Sequence, residues 1–191
     1  RNSPALASEQ ELNQFLANVE KRAFKRSYYH VRDEDAALDI VQDSMMKLVE
    51  HYAGKPVEEL PLLFQRILTN GMLDWFRRQK SRNALIVNFS DLEKDDDDAF
   101  EVDEWASKDH QVHENDPSSL IGQWQTLEML DELIQQLPGR QREAFLLRYL
   151  EELDVAQTAA IMGCTEGSVK THSFRAVQTL SKQLIQRGIK P

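Results

Sequence analysis

The stretch Leu153–Gln183, LDVAQTAAIMGCTEGSVKTHSFRAVQTLSKQ, is the starting point for interpreting the chain. Its pattern predicts two short helices joined by a tight turn. Asp154 is a good N-cap residue for the first helix, and Gly163 suits the position just after its end, where a left-handed backbone favours glycine. Thr165 can cap the second helix. The stretch therefore predicts a helix-turn-helix.

The second of these helices has two contrasting faces. At about 100° per residue, one side collects Val169, Ala176, Val177, Leu180 and Leu184. The opposite side collects Lys170, Thr171, Phe174, Arg175 and Gln178. Cations suit phosphates and guanine edges, Gln and Thr suit other base edges, and an apolar ring suits thymine methyl groups. A solvated helix face is the alternative from these residues alone.

The charge of the chain is unevenly distributed. The 191 residues carry a net charge of −9, which by itself argues against nucleic-acid binding. Residues 91–116, however, hold twelve acids and two bases. Residues 64–90 and 163–191 each hold five bases and one acid. Two basic segments separated by an acidic run are compatible with contact to nucleic acid at two places.

Three helices are predicted before residue 90, at Glu9 to about His30, Asp35 to Tyr52 and Leu62 to about Arg82. The end of the first mixes bases with aromatic rings, which suits either a nucleic-acid surface or rings closing a core beside Lys and Arg. The second has a predicted buried stripe of Ala37, Ile40, Val41, Ser44, Met45, Leu48, Val49 and Tyr52. Its predicted outer residues are Asp39, Gln42, Asp43, Met46 and Lys47.

The second half of the third helix carries bases around an aromatic ring. The residues are Asn70, Asp74, Trp75, Arg77, Arg78, Lys80 and Arg82. Such a mixture suits a duplex backbone or splayed bases. A charged last turn that complements the helix dipole explains it equally well. These residues leave both interpretations open.

The remaining segments predict a flexible linker and a helical C-terminal bundle. The acidic run lacks helical periodicity, and its aspartates and two histidines lack the spacing of a metal site. After it, a stripe comprises Leu120, Trp124, Leu127, Leu130, Leu133, Ile134 and Leu137. A helix from Arg140 to Leu153 should bury Phe145, Leu146, Tyr149 and Leu150. Apart from the short run Leu85 to Phe89 no strand pattern occurs, so the fold class is all-α with two small helical domains.

Other features exclude several classes of protein. The single cysteine, Cys164, rules out an internal disulfide and is expected to be a small buried hydrophobe rather than a redox sensor. No apolar run approaches the roughly 20 residues of a membrane span, and no signal-peptide core opens the sequence. A soluble cytoplasmic protein without metal or cofactor is expected.

Three segments together resemble bacterial RNA polymerase sigma factors of the extracytoplasmic-function group, within the sigma-70 family. The most specific is LPGRQREAFLLRYLEELDVAQTAAIMGCTEGSVKTHSFRA, Leu137–Ala176, similar to the conserved-region-four pattern. DIVQDSMMKL, Asp39–Leu48, and FQRILTNGMLDWFRR, Phe64–Arg78, are similar to two segments of region two. The chain departs from the family pattern at Gly71, where the helix is weakened by up to about 1 kcal/mol relative to alanine, and at Ser173 on the core side.

The resemblance implies a domain plan and a role for each surface. Residues 1–90 would be region two, 91–117 an acidic linker, and 118–191 region four. Region four would meet the promoter −35 element through Lys170, Thr171, Phe174 and Arg175. Region two would meet the −10 element through Asn70, Asp74, Trp75, Arg77, Arg78, Lys80 and Arg82, and the loop 54–61 would help hold a flipped base. Core polymerase would be bound through Asp39, Gln42, Asp43 and Lys47.

The resemblance also implies partners, and two other function classes compete with it. Expected partners are core RNA polymerase, through its β and β′ subunits, promoter DNA, and an anti-sigma factor that is often at the inner membrane, with no small-molecule substrate. An autonomous helix-turn-helix regulator is the first competitor and would bind duplex DNA tightly without polymerase. An enzyme using Asp95–Asp98 and the linker histidines with a metal is the second, and metal titration would test it. The leading hypothesis is an initiation factor without catalysis of its own.

Overall fold

The computed structural model describes residues 6–82 and 117–189 and divides the chain into two compact units, Arg1–Asp91 and Leu92–Pro191. Within the described ranges the secondary structure is helical, and the β pairing is one isolated bridge between Leu6 and Pro56. This confirms the all-α prediction. The run Leu85–Phe89 and residues 91–116 of the predicted linker lie outside the described residues.

Between residues 6 and 82, the first unit forms three long helices. They are α1 (Glu9–Val31), α2 (Glu34–Tyr52) and α3 (Leu60–Arg82), with a short 3₁₀ turn at Val57–Glu59 before α3. All three helices pack against one another. The helices begin and end within two residues of the predicted bounds, so the apolar spacing located them well.

Side chains at the helix starts explain where α1 and α2 begin. Ser8 caps α1 in a capping box: its hydroxyl accepts from the Glu11 N–H at 3.2 Å, and its own N–H donates to Glu11 Oε2 at 2.8 Å. Hydrogen bonds from the Ser8 backbone and hydroxyl hold the pKa of Glu11 below its ordinary value. Asp33 caps α2 by accepting from the Ala36 N–H at 2.8 Å.

The core of the first unit lies between the three helices. Phe64, Leu68 and Met72 of α3 are buried, and the Phe64 ring meets Phe15 of α1 edge to face with centroids 6.0 Å apart. Val49 was predicted to join this core and is 42% exposed, so that prediction is wrong. The reason is geometric, because Val49 lies at the margin of the α2 stripe and lines an open apolar groove.

Two further residues show how closely the helices of the first unit approach. Arg26 is 0% exposed, and its guanidinium donates to Gln65 Oε1 at 2.8 Å and to Thr69 Oγ1 at 2.6 Å. It therefore joins α1 to α3 inside the unit. At Gly71 a Cβ would lie 3.3 Å from Ile40 Cγ2. The glycine that weakens α3 locally thus permits close packing of α3 on α2.

The described part of the second unit contains four helices and a π turn. They are α4 (Pro117–Gln136), α5 (Gly139–Phe145), α6 (Val155–Met162) and α7 (Glu166–Gln186), with the π turn at Leu146–Leu150 directly after α5. Helices α4, α5 and α6 all pack against α7. In the part of the chain that the structure describes, each helix is too short or too polar to span a membrane.

The predicted helix-turn-helix is confirmed in its local details. Asp154 caps α6 by accepting from the Gln157 N–H at 2.7 Å. Gly163 ends α6 with φ of 64°, in the left-handed region. Thr165 caps α7 by accepting from the Ser168 N–H at 3.1 Å. Each end of the motif therefore has the residue type that its backbone requires.

The prediction of one helix from Arg140 to Leu153 is wrong in its second half. The Glu151 N–H donates to the Leu146 carbonyl at 3.0 Å, a bond across five residues rather than four. The wider turn rotates Tyr149 away from the core, so that it is 54% exposed although it was predicted inside. Leu127 is also exposed, because the buried side chains of α4 among the described residues lie further along, at Leu133 and Ile134.

Candidate nucleic-acid interface

Helix α7 is buried over more of its circumference than a single apolar stripe would require. Ser168, Val169, Thr171, His172, Ser173 and Ala176 are all buried. The arc is wide because three helices pack on α7. Thr171 was expected on the outer face and is only 7% exposed, so that expectation is wrong. Ser173 lies on the core side as expected.

The outer face of α7 is correspondingly narrow. Lys170 and Gln178 are exposed, whereas Phe174 and Arg175 are half-buried. Lys170, Phe174 and Gln178 follow at intervals of four residues, so they form one row along the helix. A cation, an aromatic ring and an amide in a row can meet a phosphate, a thymine methyl group and a base edge.

Two arginines of the LPGRQRE segment donate to backbone carbonyls at helix ends inside the second unit. Arg142, which is buried, donates through Nε to the Ile134 carbonyl at 3.2 Å and through one terminal nitrogen to the Gln135 and Leu137 carbonyls, each at 2.7 Å. These carbonyls belong to the end of α4, which an arginine can cap.

Arg140, also buried, does the same for α6. It donates to the carbonyl of Met162, the last residue of α6, at 3.0 Å. The turn of the motif is thereby fixed to the start of α5. Sequence reasoning used this segment to identify a resemblance and missed its structural role, since carbonyl capping by a distant arginine leaves no spacing signal.

The second half of α3 is the other basic surface. Asn70, Arg77, Arg78 and Lys80 are exposed. Trp75 is half-buried and meets Phe76 edge to face, with ring centroids 4.9 Å apart. The ring is therefore held in a set orientation while keeping part of its surface accessible. The side chain of Arg82 lies outside the described residues.

Asp74 lies within this basic set and bonds to two of its arginines. Its carboxylate Oδ1 accepts from Arg77 Nη1 at 2.9 Å, and its backbone carbonyl accepts from Arg78 Nε at 3.3 Å. Both partners of the ion pair are exposed, so it contributes little to stability. Asp74 thus orients two guanidinium groups, Arg77 through its carboxylate and Arg78 through its backbone carbonyl, and its charge offsets one of the positive charges.

The predicted polymerase-binding residues lie together on α2. Asp39, Gln42, Asp43 and Lys47 are all exposed, as the helix pattern predicted. A cleft of about 370 Å³ separates this face from α3, and both predicted surfaces contribute to it: Asp39 and Asp43 from α2, Trp75 and Arg78 from α3. Asp33 and Asp35 add further carboxylates. The cleft is thus acidic on one wall and aromatic and basic on the other.

The described residues contain no group of three or more His, Cys, Asp and Glu side chains placed to hold a metal ion. The aspartates and histidines of the acidic run, which the metal hypothesis used, lie outside the described residues.

The fold and these surfaces define an all-α protein in which a helix-turn-helix unit follows a separate three-helix unit. Residues 127–180 match the family described as "Sigma-70, region 4". The RNA polymerase sigma factor SigV of Bacillus subtilis is 26% identical over 87% of this chain and 86% of its own length. The extracytoplasmic-function sigma factor SigM of the same organism is 28% identical over 83% and 85%.

A solved structure has a similar fold over nearly the whole chain. The sigma factor RpoE of Bartonella quintana, crystallised with the anti-sigma factor NepR, has a TM-score of 0.61 and 22% identity, and the match covers 92% of this chain and 97% of that one. The chain is therefore similar to sigma factors over both units, and to region 4 of the sigma-70 family over residues 127–180.

Proposed function

We propose that this chain is a transcription initiation factor that binds core RNA polymerase and directs it to promoters with defined −35 and −10 elements. The observation that carries the proposal is that the relatedness to sigma factors extends over both units in the same order. This supports an initiation factor over an autonomous helix-turn-helix regulator, whose relatives would match the second unit alone. No catalytic step is assigned to the chain.

In this proposal the second unit reads the −35 element through α7. Lys170 and Phe174 lie in one outward row, with Arg175 half-buried beside them, so a helix inserted in the major groove would present these three to base edges and phosphates. Thr171 is too buried to enter the groove with its side chain unless the helix packing shifts. We therefore assign it a smaller part than its neighbours.

The first unit would contact the −10 element with the second half of α3. Exposed bases from Arg77 to Lys80 attract the phosphates, and Trp75 offers a ring for an unstacked base. The acidic wall of the cleft on α2 repels phosphates, so the strand would stay on the α3 wall, where Trp75 and Arg78 lie. The loop 54–61 would help hold one flipped base.

The exposed row on α2 would dock on core polymerase, and Asp43 provides the test. We expect Asp43→Ala to weaken binding of labelled protein to core polymerase by about five- to thirtyfold, since one charged contact of an interface is lost. Asp43 is exposed, so its removal should leave the thermal unfolding unchanged. The matched control is Glu20→Ala, which removes the same charge at an exposed position of α1. Equal affinities of the two variants would refute this role.

A substitution at Asn70 tests whether α3 acts in promoter opening rather than in promoter binding. Asn70→Ala should slow open-complex formation by about tenfold, the effect of roughly 1.4 kcal/mol, because a contact to the unpaired strand is lost. Closed-complex affinity should stay the same, and a premelted template should restore activity. Asn18→Ala on α1 makes the same chemical change at another exposed position. A defect that persists on the premelted template would contradict a role in opening.

The two promoter-facing surfaces also suggest how the chain would be regulated. An anti-sigma factor that covers the α7 row and the α3 surface would silence both promoter contacts at once. We propose such a partner for this chain, acting in the cytoplasm or from the cytoplasmic side of the inner membrane. Co-purification of the chain with a protein that blocks both DNA contacts would identify it.

A further inference from the structure

The segment before α1 is attached to the loop between α2 and α3. Leu6 and Pro56 form an antiparallel bridge, and the Ala7 N–H donates to the Lys55 carbonyl at 3.0 Å. The loop is the same one that the proposed function assigns to the flipped base. Two residues far away in sequence therefore determine where its backbone lies.

The other backbone bonds of this loop among the described residues are local. The Lys55 N–H donates to the Tyr52 carbonyl and the Glu59 N–H to the Pro56 carbonyl, each at 3.0 Å. The ion pair between Lys55 and Glu59, at 3.6 Å, is about half exposed at both ends and weak. These local bonds shape the loop but do not fix its position relative to the three helices. The bond from Ala7 helps to fix that position.

Pro56 restricts this attachment to a short contact. Proline has no N–H, so it cannot donate to the neighbouring segment, and the pairing cannot extend as a regular strand ladder through it. Among the described residues, the Ala7 N–H is the donor of this contact. A substitution that removes this donor should loosen the loop without altering any helix.

Both ends of the contact are anchored in the first unit. Pro56 is buried, and Ala7 packs against the core. Ser8 follows immediately, and its capping box with Glu11 fixes the direction in which the chain enters α1. The exposed side chains of the loop, at Lys55, Glu58 and Glu59, project from a backbone that is held at both sides.

We propose that Leu6 and Ala7 are positioning residues for promoter melting: they hold the loop 54–61 in the conformation that accepts the flipped base of the −10 element. The inference rests on the proposed function. A pre-ordered loop loses less conformational entropy when the base binds, so the attachment raises discrimination between the preferred base and the others.

Ala7→Pro tests the proposal, because proline lacks the donor. In full-length holoenzyme we expect the ratio of open-complex rates on the best and worst base at the flipped position to fall about three- to tenfold, the value of one hydrogen bond. Discrimination at the −35 element and affinity for core polymerase should not change. Ala7→Ser keeps the N–H and nearly the same size, and it should behave as the wild type.

The readouts distinguish the possible failures. A wild-type chain inactive with core polymerase would overturn the proposed function itself. An active wild type with a folded Ala7→Pro variant that discriminates equally well would overturn only the positioning role. If Ala7→Pro does not fold, Leu6→Gly/Ala7→Gly replaces it, since it loosens the segment and keeps the donor. Reduced discrimination in that variant supports the proposal, and unchanged discrimination overturns it.

Discussion

Replacing Arg142 by alanine should destabilise the second unit by about 3–5 kcal/mol, a large effect for one substitution. The side chain is buried and donates to the carbonyls of Ile134, Gln135 and Leu137. Alanine would leave these acceptors at the end of α4 without their charged donor and would open a cavity. The helix-turn-helix should then lose its support while the first unit remains folded.

Hydrogen exchange resolved by peptide measures this effect for each unit separately. Exchange in α5 and α7 should rise strongly, and exchange in α1 to α3 should not. Arg187→Ala is the control, because Arg187 forms an exposed ion pair with Glu132 at 3.6 Å that contributes at most about 1 kcal/mol. If both variants exchanged alike, the capping role of Arg142 would be disproved.

Replacing Lys170 by alanine should weaken holoenzyme binding to the −35 element by about 1–3 kcal/mol if the ammonium contacts a base edge. If it contacts a phosphate, the loss should be similar for all sequences, and the salt dependence of binding should fall by about one unit of slope. Affinities for matched and mismatched −35 duplexes at several salt concentrations distinguish the two cases. Either outcome places Lys170 at the DNA.

Lys182→Ala is the matched control for this measurement. Lys182 is exposed on the same helix, and at about 100° per residue it lies about 120° around the axis from Lys170. The net charge changes equally in both variants. Equal losses would mean that only the overall charge matters, and the assignment of the Lys170 row as the DNA-facing surface would be wrong.

The helix ends could be predicted from the sequence because they depend on local chemistry. Asp154, Gly163 and Thr165 act within a few residues of their own position, so residue type and spacing were sufficient. The exposed row on α2 was predictable for the same reason, since only one face of that helix packs inward. The class of fold followed from these local signals together.

Burial around α7 could not be read from the same spacing. A helical wheel assumes one packed face, but α4, α5 and α6 all contact α7, and Thr171 is buried as a result. The π turn likewise shifted Tyr149 outward, and nothing in the residue pattern marks an inserted residue in a turn.

Arg26 shows the same limit in the first unit. Its sequence surroundings suggested a nucleic-acid surface or a side chain lying along the core edge, yet it is buried between α1 and α3. Only the tertiary arrangement brings Gln65 and Thr69 to its guanidinium. The roles of the DNA-facing and polymerase-facing residues stay predictions for the same reason: each depends on a partner surface as well as on this chain.

Promoter-dependent run-off transcription with core RNA polymerase tests the central claim most directly. The account predicts that the purified chain binds promoter duplex weakly alone and, together with core enzyme, produces transcripts from a subset of a promoter library that share −35 and −10 sequences. Tight sequence-specific duplex binding by the chain alone, with no promoter-dependent transcript from core enzyme, would contradict it.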